Sequence, residues 1–146
     1  MKKLILTLLI LSSLDVFASE IRVENCEVYG ISLNSVYSMK TYANGSIKVF
    51  EVNMEEPAAA PVGVAISIIK GDGLSNFEST CRYIPGLAGV DVIGAKSKYD
   101  KLHNTIKLTM NASQTDVNGI AKSKVLTIFI NKDVTSEADL VKAVLK

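Results

Sequence analysis

The sequence predicts an all-β fold: a single antiparallel β-sandwich or barrel of about seven strands with one C-terminal α-helix. Apolar residues in the body of the chain recur mostly with period two, as strands with one buried face require. Val, Ile, Thr and Tyr, which suit a pleated and half-buried surface, are abundant. Turn dipeptides such as Asn44-Gly45, Pro85-Gly86 and Asn118-Gly119 stand between the alternating runs.

The first segment stands apart from that fold. Lys2 and Lys3 precede an apolar run from Leu4 to Leu11, and Ala18 offers a small residue at a cleavage position with Val16 two before it. This order predicts a cleavable secretory signal over residues 1–18, leaving residues 19–146 as a single β-rich domain. A buried amphipathic helix would need a polar face that the run lacks. At well under the roughly 18 apolar residues that span a bilayer, the run predicts no stable membrane insertion of the mature protein. The short, lysine-led signal points to a bacterial Sec-type route and a periplasmic or secreted protein.

An oxidising compartment frames Cys26 and Cys81, the two cysteines of the chain. They can pair in only one way, and in the chain-entropy model closing so long a loop stabilises a fold by roughly 4 kcal/mol. A spacing of 55 with no CxxC and no neighbouring histidine resembles neither a redox nor a zinc site.

Ile21 to Leu33 reads as a first strand whose apolar phase changes, so a bulge or bend is expected near Asn25 or Gly30. Around Asn44-Gly45, a preferred type I′ turn, residue 43 should pair with 46, 39 with 50 and 37 with 52. That register puts Tyr37, Met39, Phe50, Val52 and Met54 on one face and Ser38, Lys40 and Glu51 on the other. Glu56 to Pro61 is a stiff connector because its prolines remove ladder donors. Val62, Val64, Ile66 and Ile68 then alternate with Gly63, Ala65 and Ser67, so something must pack closely on the narrow side.

A turn at Gly71–Gly73 precedes a short strand over Ser79 to Ile84, which Pro85-Gly86 should end. Val90 to Tyr99 and Asn104 to Asn111 form a hairpin around Asp100–His103. Lys122 to Asn131 is apolar on both faces, as for a central or covered strand. Its cover is expected to be the last element. Ser136 would begin a helix whose stripe is Leu140, Val141, Val144 and Leu145, with Lys142 and Lys146 near its carboxyl end.

Removal of residues 1–18 leaves fourteen basic and fourteen acidic residues, a formal net charge of zero. General nucleic-acid binding is thereby disfavoured. His103, the one histidine, stands beside Asp100, yet no nucleophile-elbow pattern offers it a serine. Asp116-Val117-Asn118-Gly119 matches part of a calcium loop but lacks the closing glutamate, and reads as a turn. No P-loop, dinucleotide fingerprint or zinc cluster is present in the sequence, so no cofactor, metal site or catalytic residue is expected.

Lys96, Lys98, Lys107, Lys122 and Lys124 gather on the later strands. They read either as charged decoration of a solvated edge or as a docking surface for an acidic partner. The expected function is a non-enzymatic binding module of the bacterial envelope that engages a protein partner, as an inhibitor or accessory factor. An alternative is a carrier of small apolar ligands, with a cavity lined by Tyr37, Met39, Phe50 and Ile66. A second alternative is a hydrolase using His103.

Overall fold

The structure, a computed structural model, describes residues 18–31, 35–54, 61–70, 78–134 and 136–146. The segment expected to be a secretory signal, as far as Phe17, the connector residues 56–60 and the turn expected at Gly71–Gly73 lie outside them.

Two antiparallel sheets face each other, and neither closes into a barrel. Sheet I contains β2 (Glu24–Asn25), β3 (Val36–Tyr42), β4 (Ile47–Asn53), β5 (Val62–Lys70) and β6 (Glu78–Leu87), in the spatial order β2-β6-β5-β4-β3. Sheet II contains β1 (Ser19–Ile21), β7 (Gly89–Val90), β8 (Lys96–Asp100), β9 (Thr105–Thr115), β10 (Ala121–Asn131) and β11 (Val141–Leu145). Its order is β1-β11-β10-β9, with β7 and β8 both on the free side of β9. Three of these eleven strands, β1, β2 and β7, have only two or three residues, which accounts for the excess over the expected number.

Each sheet is an up-and-down meander whose last strand is completed by the chain's beginning. β1 pairs with β11 in sheet II, and three residues later β2 pairs with β6 in sheet I. The phase change expected in this region is a real bend. Asn25 Oδ1 accepts from the Glu27 amide at 3.1 Å and caps a 3-10 turn over Cys26–Tyr29, which Gly30 ends at φ +56°. The strand expected as far as Leu33 therefore stops at Asn25.

Between the sheets lies the main core. Val64, Ile66 and Ile68 of β5 and Ile84 of β6 are fully buried on one side, and Leu108, Leu126, Ile128 and Ile130 on the other. At about 25 cal/mol per Å² of apolar surface, such side chains supply most of the drive to fold. A smaller cluster sits on the outer face of sheet I: Cys26, Val52, Ala65 and Tyr83, joined by Phe50, Met54 and Ile31. Cys26 and Cys81 are bonded there, with Cα atoms 5.4 Å apart, and hold the 3-10 turn against the sheet. Tyr83 is what packs on the narrow side of β5, because a Cβ at Gly63 would overlap its ring.

The β3–β4 hairpin keeps the expected pairing of Met39 with Phe50. Ser46 N donates to Ala43 O at 3.2 Å, and Asn44 and Gly45 both have positive φ, as a type I′ turn requires. A bulge then places Val36, and not Tyr37, opposite Val52. Pro85-Gly86 does not end β6. It forms an irregularity within it, opposite Gly63, with Gly86 at φ +82°, and the strand runs on to Leu87.

The C-terminal helix is present but is a single turn, α1 (Glu137–Leu140). Val141–Leu145 is a strand, with Val141, Ala143 and Leu145 buried and Lys142 exposed. The apolar stripe was compatible with helix, but β10 offers an unpaired edge. Five residues of strand satisfy that edge, whereas a helix would leave its backbone groups unpaired. Among the described residues, no helix therefore covers the outer face of sheet II.

Candidate functional site

That uncovered face carries a transverse row of long side chains. Lys98 of β8 stands opposite Lys107 of β9, Lys107 opposite Phe129 of β10, and Phe129 opposite Lys142 of β11. Directly opposed residues share a face, so three ammonium groups and one aromatic ring line up across four strands. Lys107 Nζ lies 5.8 Å from the Phe129 ring centroid, within cation–π range. The next row holds Lys96, Thr109 and Thr127.

Phe129 and Thr105 are shared by two adjoining depressions. One, of about 410 Å³, is also lined by Lys98, Tyr99, Asp100, Lys101 and Lys107. The other, of about 290 Å³, reaches Asn131, Val134 and Lys142. Together they make a shallow trough across the strands with lysines at both ends. Lys142 is paired with Asp139 at 3.1 Å, both half-exposed, a contact that solvent screens heavily.

The five expected lysines do not form one surface. Lys124 pairs with Ala112, whose side chain is buried between the sheets, and Lys122 shares that phase. Both point to the opposite side from Lys96, Lys98 and Lys107, because alternate residues of a strand face opposite ways. Lys122 is moreover 3.0 Å from Asp116 in the β9–β10 turn. Asp116 Oδ1 also accepts from the amides of Asn118 and Ile120, at 2.9 and 3.0 Å. Its carboxyl is held below the usual range by the Ile120 amide first, then by Lys122 and the Asn118 amide. These oxygens are thus engaged in closing a turn.

The four residues expected around a cavity are also divided. Met39 and Phe50 form a pair on the outer face of sheet I, and Tyr37, on the same strand as Met39, is 67% exposed. Ile66 pairs with Val49 and is fully buried between the sheets. One residue of strand separates the two phases, so no single cavity can be lined by all four.

His103 lies in the β8–β9 turn, its Nδ1 2.8 Å from Asp100 Oδ2 and its side chain 67% exposed. This contact first, and the Leu102 amide second, hold the Asp100 carboxyl below its ordinary value. The nearby Thr105 hydroxyl donates to the His103 carbonyl at 2.9 Å. The turn is closed by local bonds.

A separate cleft of about 520 Å³ opens where the β3–β4 turn meets the β8–β9 hairpin and the end of β10. Tyr42, Tyr99 and Ile106 form its walls, with Asn104 and Lys132 at the rim. Phe129 and this cleft were missed from sequence. Phe129 is 31 positions from Lys98, and only cross-strand register brings them together. No protein-family model, no curated protein and no solved structure matches the chain.

Proposed function

We propose that this chain is an exported, non-enzymatic binding module that uses the outer face of sheet II to capture an extended acidic segment of a partner protein. One observation carries the reading: the Lys98–Lys107–Phe129–Lys142 row on a face that no other element among the described residues covers. Like charges placed directly opposite one another, as Lys98 and Lys107 are, destabilise a sheet. A carboxylate bound between them removes that cost. Phe129 supplies an aromatic anchor at the middle of the row, where binding energy concentrates. Gatekeeping of an open edge would account for Lys96 and Lys98 on β8 and for Lys142, which lies beyond the stretch of β11 that β1 covers, but not for Lys107 on the inner strand β9.

Export is supported by the Lys2-Lys3 and Leu4–Leu11 pattern, and by the Cys26–Cys81 bond, of a kind that is rare in reducing compartments. The periplasm or the cell exterior fits both. Hydrolysis through His103 gains little support from a solvated turn whose imidazole is paired with Asp100.

The test is fluorescence anisotropy of a labelled oligo-glutamate peptide titrated with the protein at two salt concentrations. Binding should weaken with salt, and about tenfold in the K98E/K107E double variant, whereas K122E/K124E should have little effect. Equal losses from the two double variants would show that net charge, and not the row, is responsible.

A further inference from the structure

We propose that the cleft between the β3–β4 turn and the β8–β9 hairpin binds a small ring compound bearing a carboxylate. This site adjoins the depression beside the lysine row at Tyr99 but draws its charge from a different residue, Lys132. Its volume, about 520 Å³, lies within the range of small-molecule sites, and it sits at the open end of the sandwich where both sheets contribute.

Two tyrosines supply flat apolar walls, Tyr42 from sheet I and Tyr99 from sheet II, with Ile106 beside Tyr99 in register. Tyr99 is fixed in place: its hydroxyl donates to Asn104 Oδ1 at 2.7 Å, and Asn104 Nδ2 donates in turn to Asp133. A ring-shaped ligand thus meets a wall that is already ordered, and ordering costs little on binding.

The charged group of the cleft is a cation, and the Ser97 hydroxyl in its lining can donate or accept. The acceptor oxygen of Asn104 already takes the Tyr99 hydroxyl, and Ser46 Oγ takes one proton of Lys132 at 3.0 Å. Lys132 carries the positive charge of the site and three protons in all. The Tyr42 hydroxyl is buried and makes no hydrogen bond among the described residues. An orphaned buried hydroxyl costs stability and calls for an explanation. The oxygen has no surface open to the cleft, so it is the Tyr42 ring that a ligand meets. Burial also pushes its phenol up. The Lys132 ammonium favours an anionic acceptor, and a ring carboxylate would satisfy both it and the two tyrosine faces.

Backbone conformation marks the same place. The three non-glycine residues with positive φ among the described residues are Ala43, Asn44 and Asn104. Asn44 has its reason in the type I′ turn. Ala43 at φ +50° and Asn104 at φ +44° both line the cleft, and for alanine that conformation is strained. Such strain collects at binding sites, where it is offset by the rest of the fold.

The test is a titration of isotope-labelled protein with benzoate and with glucuronate, followed by amide chemical shifts, against benzyl alcohol and glucose as neutral counterparts. Saturable shifts are expected at Ala43, Ser97 and Asn104, with the acids binding at least about tenfold more tightly than the neutral compounds. Lys132→Gln should bring the acids down to the neutral level. Absence of shifts at these amides with all four compounds overturns the proposal. So does equal binding of acids and neutral compounds by the unaltered protein, a comparison that needs no variant to fold.

Discussion

Position 63 shows how one missing side chain shapes the outer face of sheet I. Tyr83 lies in the space that a Cβ at Gly63 would occupy, and it joins Val52, Ala65 and the cystine in the smaller cluster. Gly63→Ala should therefore force Tyr83 out of place and destabilise the protein by about 1–3 kcal/mol, measurable by urea denaturation. The alternation of large and small residues in β5 already announced a close neighbour, but not its identity, because Tyr83 reaches Gly63 only through the pairing of β5 with β6. A second residue-scale consequence concerns pH. The folded Asp100 carboxyl titrates below its unfolded counterpart, chiefly through His103. The contribution is thus present above the ordinary carboxylate range and is lost as pH falls through the lowered folded value. Carboxyl NMR titration should find the Asp100 midpoint below the usual value, and His103→Ala should raise it.

Among the elements, β11 separates what the sequence discloses from what it conceals. Leu140, Val141, Val144 and Leu145 fit a helical stripe, while Val141, Ala143 and Leu145 fit an alternating strand equally well. A run this short cannot distinguish the two periods. The decision comes from β10, whose far edge needs hydrogen-bond partners and finds them in Val141–Leu145. Leu145→Ala should cost about 2–5 kcal/mol, as for a core leucine, by loss of packing beneath Leu126 and its neighbours. A residue on a frayed terminal helix would give a much smaller loss in the same denaturation experiment. By contrast, the β3–β4 hairpin was legible because turn chemistry and alternation agreed on one register. The two faces of its strands were legible too. The error lay in adding Ile66, from a strand whose phase relative to Phe50 only the β4–β5 pairing fixes. The lysine row follows the same logic: each lysine was visible, but their division into two faces, and the arrival of Phe129 between two of them, depend on the β9–β10 register.

At the scale of the molecule, the two clusters are held by different means. The main core between the sheets contains neither cysteine, whereas the smaller one is built around both. Cys26→Ser with Cys81→Ser should lower stability by roughly 4 kcal/mol while leaving the far-ultraviolet β signature in place, since the inter-sheet core survives. Loss of that signature would mean that the cystine organises the sheets themselves. The same bond secures the 3-10 turn that follows β2, just after the chain has passed from one sheet to the other. Ser19 pairs with Leu145 across β1 and β11, so the described chain returns to its own starting point. In connectivity the molecule is nearly a ring. A short linker from Lys146 to Ser19, with new ends cut at the fully exposed Val117, would preserve every strand pairing and leave the lysine-bearing face untouched. Circular permutation at that tip would move both ends away from the β1–β11 edge without redrawing the sandwich.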